Sequence, residues 1–142
     1  MALVMDREEL AEFLDEAFPQ VKGDFEIDAL NEEELVVRLK VEDRHLRPGG
    51  TVSGPNMFAL ADVGIYMAIL ARIGRVALAV TTNASIDFMR KPVAGADLIA
   101  KIRVLKLGRV LAVGEALIYS EGDDRPVARS NMTYSIPPKA MG

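Results

Sequence analysis

The sequence predicts an α+β fold: an antiparallel β-sheet wrapped around one central apolar helix, with a short N-terminal helix ahead of it. Three observations predict it. Residues 55–73 are apolar nearly all round at helical spacing, the pattern of a helix buried on every side. After Gly74 the pattern changes from helical to alternating, and it stays so through four successive segments. An amphipathic helix and two short strands come first, so the order is helix, two strands, one buried helix, four antiparallel strands.

Each element has its own local reason. Over residues 7–18, Leu10, Phe13, Leu14 and Ala17 fall on one helical face, with Asp6 placed as N-cap. Pro19 and Gly23 break that pattern. Residues 25–30 and 35–41 read as short strands joined by the acidic turn Asn31-Glu32-Glu33. A loop rich in Gly and Pro follows over 44–55, and Pro55 suits the first turn of the central helix. Gly74 suits its C-terminal cap. Leu78, Val80, Thr82, Ala84, Ile86 and Phe88 then alternate with shorter or polar residues, a long half-buried strand. Leu98 to Val104 repeats the alternation. Gly108-Arg109 turns the chain into residues 110–119, and Gly122-Asp123-Asp124 turns it into 127–136, where Ala128, Met132, Tyr134 and Ile136 share a face.

Composition bounds the rest. A chain of 142 residues suits one domain over 1–142, with a helix and connector at 1–23 and the core at 24–138. The net charge of −4 argues against a nucleic-acid partner. The sequence contains no cysteine, which removes disulfides, thiolate metal sites and a cysteine nucleophile together, and fits a reducing cytoplasm. No metal or cofactor is expected. The N-terminus is acidic and lacks the pattern of a signal peptide. The longest apolar run carries Asp62 and is short for a membrane span, so no membrane partner is expected.

Asp62 is the most informative residue. It is the only charged group between Arg47 and Arg72, and its neighbours at helical spacing, Phe58, Ala59, Ile65 and Tyr66, are apolar or aromatic. Burying a carboxylate there costs several kcal/mol unless it is paired or functional. A structural Asp bonded to the backbone or facing a partner chain fits the residues as well as a catalytic one. The Gly-bearing loop ahead of the helix is the second feature. It feeds a helix N-terminus, where free N–H groups and the dipole can hold an oxyanion. It carries no dinucleotide or phosphate-loop fingerprint. Gly54 and Asp62 are separated by about 12 Å of helix axis. Both reach one carbonyl only if two copies of this helix lie antiparallel across a dimer interface.

The stretch from Pro48 through Gly49-Gly50-Thr51-Val52-Ser53-Gly54-Pro55-Asn56-Met57-Phe58-Ala59-Leu60-Ala61 to Asp62 resembles the signature of the PaaI-like (phenylacetic acid degradation type) thioesterases of the hotdog fold. Phe88-Met89-Arg90-Lys91-Pro92-Val93 and Gly108-Arg109 are similar to two further parts of that family. The resemblance spans about 35–136. It implies hydrolysis of an acyl-CoA thioester, with CoA part of the substrate and no separate cofactor. It also implies a homodimer, often paired into a homotetramer. The helix carboxylate, Asp62, would be nucleophile or general base, and the Gly54 N–H would polarise the thioester carbonyl. One departure stands out. Members commonly carry His-Gly-Gly at the helix start, where this chain has Ser53-Gly54-Pro55, and Pro55 has no N–H to donate.

Other residues join the expected site with plainer alternatives beside them. Asn56 either orients water or the thioester, or bonds its own backbone as a helix-start residue. Ser53, Met57, Phe58, Tyr66, Thr82 and Asn83 are candidates to line the acyl pocket, with core packing or a solvent face as the alternative. Arg90, Lys91 and Arg109 are candidates to hold CoA phosphates, against ordinary surface charge. His45, the only histidine, reads as a surface loop residue that builds no Ser-His-Asp triad. The competing functions are a non-catalytic acyl-CoA-binding module and a hotdog hydratase or dehydratase. The latter needs an acid–base histidine that His45 is badly placed to supply.

Overall fold

The computed structural model describes residues 2–138. The expected domain reaches Met1 and 139–142, which lie outside the described residues. The elements are α1 (Arg7–Ala17), β1 (Phe25–Leu30), β2 (Leu35–Leu39), α2 (Gly54–Ile73), β3 (Val80–Phe88), β4 (Leu98–Leu107), β5 (Leu111–Ser120) and β6 (Pro126–Ser135), with single 3-10 turns at Pro19–Val21 and Asp43–His45. The expected order is the observed order, with ends displaced by a few residues.

Helix α1 starts on a reciprocal cap. The Glu9 N–H donates to Asp6 Oδ1 at 2.8 Å, and the Asp6 N–H donates back to the Glu9 carboxylate. Leu10, Phe13 and Leu14 bury its inner face. Proline disfavours helical backbone in the residue before it, and the helix ends ahead of Phe18-Pro19. The β1–β2 turn is held by Asn31, whose Oδ1 accepts from the Glu33 and Glu34 amides at 2.8 and 2.9 Å.

The six strands form one antiparallel sheet in the order β1-β2-β4-β5-β6-β3. Helix α2 lies across the inner face, mainly over β4 and β5. Its approach is close enough to require glycine on both sides. A Cβ on Gly64 would lie 2.0 Å from Ile102 Cδ1, and one on Gly114 would lie 2.5 Å from Ile65 Cγ2. By length and composition α2 would pass for a membrane span, yet it is the mostly buried core helix of this domain. Its buried residues include Leu60, Ile65, Ile69 and Leu70, none more than 1% exposed.

One expectation about a strand changes. The alternation predicts a half-buried β3. In the single chain nearly every residue of β3 is exposed, with only Thr81 and Ile86 partly covered. The reason is position. β3 is an edge strand bonded only to β6, and α2 covers the middle of the sheet more than this edge. The result is a nine-residue edge carrying apolar Val80 and Phe88 into solvent.

Candidate active site

Asp62 sits midway along α2, partly exposed, on the only stripe of that helix the sheet leaves uncovered: Pro55, Phe58, Ala59, Asp62 and Tyr66. Those positions recur at i+3 and i+4, so they form a single line along the helix. Two hydroxyls converge on one oxygen of the carboxylate. Thr81 Oγ1 donates to Asp62 Oδ1 at 2.7 Å, and the Tyr134 hydroxyl donates to the same Oδ1 and lies 2.6 Å from the Asp62 backbone carbonyl. Asp62 Oδ2 has no partner among the described residues. Burial, and then the Asp62 charge, push the Tyr134 phenol well above its ordinary range, so it stays protonated as a hydrogen-bond donor. Around this carboxylate opens a cleft of about 510 Å³, lined by Val63, Tyr66, Ala77, Ala79, Val80, Thr81 and Tyr134, together with Ala17, Phe18 and Gln20 from the end of α1 and the turn after it.

The other end of α2 forms a separate cleft of about 450 Å³. Gly49 and Gly50 take positive φ to make the turn from Arg47 to Thr51, so their glycines serve the loop backbone. Ser53 then caps the helix, and the Asn56 side chain donates to Ser53 Oγ at 2.7 Å and to the His45 carbonyl at 3.2 Å. Pro55 has no N–H, and the Asn56 and Met57 amides are taken by Ser53. The Gly54 N–H is left without a partner among the described residues, at the positive end of a 20-residue helix. Gly54, Met57, Phe88, Arg47, Arg90 and Lys91 line this second cleft, three cations and no carboxylate in an acidic protein.

The sequence pattern of the thioesterase superfamily matches residues 49–127, a stretch that holds α2, β3, β4 and β5. The chain belongs to the thioesterase superfamily. It is 32% identical over 104 residues to a Pseudomonas aeruginosa protein named as an esterase, covering 73% of this chain and 76% of that one. A structure from Silicibacter sp. TM1040, described as a thioesterase, is 64% identical and superposes with a TM-score of 0.92 over 97% of this chain and 96% of its own. A point mutant of the phenylacetic acid degradation protein PaaI from Thermus thermophilus is 28% identical, with a TM-score of 0.71 over 84% of this chain and 99% of its own. The PaaI-like resemblance therefore holds, the fold is the hotdog fold, and the chemistry of the family is thioester hydrolysis.

Within this thioesterase the expected site residues divide between the two clefts. Asp62 and Tyr66 line one; Gly54, Met57, Arg90 and Lys91 line the other. Ser53 and Asn56 are held in the helix cap, which uses both amide hydrogens of Asn56. Phe58 lies on the open helix stripe and lines neither cleft. Thr82 and Asn83 are also absent from the Asp62 cleft, because a register irregularity between Thr81 and Asn83 shifts the alternation and turns Thr81 inward. Thr82 donates instead to the Thr133 carbonyl. Arg109 sits in the β4–β5 turn, near the start of β3, whereas Arg90 and Lys91 follow its end. Those positions are separated by about 25 Å of strand.

His45 needs correcting. The sequence places it on the surface, and it is 3% exposed. Its Nδ1 accepts the Glu42 N–H at 2.9 Å, and its carbonyl accepts from the Ser53 amide and from Asn56. The residue clamps the loop to the start of α2, so its burial follows from backbone bonds that no local pattern announces.

Tyr134 is a site residue that sequence reasoning misses. The only sequence signal for it is a phenol hydroxyl on the inward face of β6, which it shares with Ala128, Ser130 and Met132. Its role at Asp62 is positional, and a hydrogen bond to a charged group is worth about 1.5–3 kcal/mol. Tyr134→Phe is expected to lower kcat for thioester hydrolysis by about 10–100-fold with little change in KM. An unchanged kcat in steady-state thiol-release kinetics would show that Thr81 alone holds the carboxylate.

Proposed function

We propose that this protein hydrolyses acyl-CoA thioesters to a free acid and CoA, at a composite site built from the Asp62 cleft of one protomer and the Gly54 cleft of its partner. The observation that carries the reading is the pairing of unsatisfied groups. The Gly54 N–H and Asp62 Oδ2 lack partners among the described residues, and they lie on the same helix in different clefts.

The exposed β3 edge supports the assembly. An unpaired edge of nine residues with apolar side chains favours pairing with another strand. Antiparallel pairing of β3 with β3 of a second copy continues the sheet and sets the open stripes of the two α2 helices against each other. The start of one helix then meets the middle of the other. Pairing of such dimers into a tetramer belongs to the same reading.

In this arrangement the thioester carbonyl oxygen accepts from the Gly54 N–H of one protomer. Asp62 of the other uses Oδ2 to take a proton from water, or attacks the carbonyl carbon directly, expelling the CoA thiolate and leaving an acyl-Asp62 anhydride that water then hydrolyses. With water as nucleophile, its oxygen bonds to the carbonyl carbon and Asp62 accepts the proton. The negative charge forms on the oxygen facing Gly54. The C–S bond then breaks and the proton passes to the CoA sulfur. Thr81 and Tyr134 hold Oδ1 throughout. Arg47, Arg90 and Lys91 supply positive charge for the CoA phosphates, and the reaction uses no cofactor beyond the CoA carried by the substrate.

The test is thiol release from a panel of acyl-CoAs, with the double variant Arg90→Glu, Lys91→Glu beside the wild type. Turnover of the panel and at least a tenfold higher KM for the variant are expected. Absence of turnover across the panel sinks the hydrolase reading. An unchanged KM sinks the phosphate assignment alone.

A further inference from the structure

Part of the lining of the Asp62 cleft comes from residues that precede the matched family stretch. α1 and its following turn contribute Ala17, Phe18 and Gln20, whereas the family pattern begins at residue 49. This segment is firmly mounted. The Val4 and Met5 amides both donate to the Ala71 carbonyl near the end of α2, at 2.7 and 3.2 Å. Leu10, Phe13 and Leu14 are buried in the core, and the Arg75 guanidinium lies 5.3 Å over the Phe13 ring. The helix ends where Pro19 stops it, and Phe18 is delivered to the cleft by that termination. Phe18 is 37% exposed, a large apolar ring lining the same cleft as the Asp62 carboxylate. A rigid mount and a large apolar ring facing the cleft are the features of a wall that can limit what the cleft accepts.

We propose that Phe18 is the end wall of the acyl-binding part of this cleft and sets the length of the acyl group accepted, with Gln20 as its polar rim. The inference rests on the reading above that a thioester is held at Asp62. The acyl tail then runs from Asp62 past Val63 and Tyr66 toward α1 and stops at Phe18. Each buried methylene should raise kcat/KM by about fourfold until the tail meets the ring, after which the gain ends.

The test measures kcat/KM over a linear acyl-CoA series for the wild type, Phe18→Ala and Phe18→Trp. Affinity for the corresponding non-hydrolysable acyl-CoA thioethers is measured by titration calorimetry in parallel. The break in each profile should move to longer chains by about two methylenes or more in Phe18→Ala and to shorter chains in Phe18→Trp. A variant that is merely less stable lowers every chain length by one factor and leaves the break in place, which would overturn the proposal. Turnover with a fixed break overturns the wall and leaves the hydrolase reading intact. Thioether binding with a moving break and no turnover upholds the wall and removes the hydrolase reading. If no acyl-CoA or thioether of any length is bound, the wall fails with it.

Discussion

Asp62→Asn is expected to leave the fold and the assembly intact and to reduce acyl-CoA turnover by about 10²–10⁴-fold. The geometry makes this substitution unusually clean. Thr81 and Tyr134 both donate to Oδ1, so an asparagine that keeps its carbonyl oxygen there retains both bonds. The change falls on Oδ2, which becomes an amide that can neither attack a thioester nor accept a proton. A purely structural carboxylate would behave in the opposite way. Its replacement would alter the melting temperature and leave activity proportional to folded protein. Melting temperature and thiol release measured on the same preparation separate the two, and near-wild-type turnover in a folded variant would remove Asp62 from the chemistry.

Recovery of activity in mixed dimers is the second large effect. Gly54→Pro deletes the amide proposed to hold the thioester oxygen, and proline is well suited to the first position of a helix. The ring of Phe88 must yield, since even a Cβ on Gly54 would come within 3.3 Å of it, so folding and dimer formation of Gly54→Pro chains are checked first. Each variant alone should be nearly inactive. Mixing Gly54→Pro chains with Asp62→Asn chains leaves one composite site with an intact glycine and an intact carboxylate. Activity should return to about half that of the wild type per mixed dimer. Light scattering and differently tagged chains establish that mixed dimers form. Inactive mixed dimers of folded chains would mean that the site is completed within one chain.

Helix α2 shows how much is legible before any coordinates. Its limits, its burial and the isolation of Asp62 follow from apolar residues at helical spacing between Pro55 and Gly74. The separation of Gly54 from Asp62 is equally readable, because helix rise converts residue number into distance. The six strands are readable as alternation. What surrounds Asp62 is not. Tyr134 is 72 positions away, and Thr81 replaces the expected Thr82 because of one register irregularity.

The division has a physical cause. By itself the sequence determined the helix and strand periods, the caps, the buried helix with one carboxylate, and the family signature. All of these depend on side chains within a few residues of one another. Only the tertiary structure decided that β3 is an open edge, that His45 is clamped beneath the start of α2, that Arg109 lies far from Arg90, and that Phe18 lines the Asp62 cleft. Lateral neighbours in a sheet are set by register, where a displacement of one residue turns a side chain to the opposite face. That register is fixed by the packing of the whole inner face against α2, a sum over distant contacts that no local window of sequence contains.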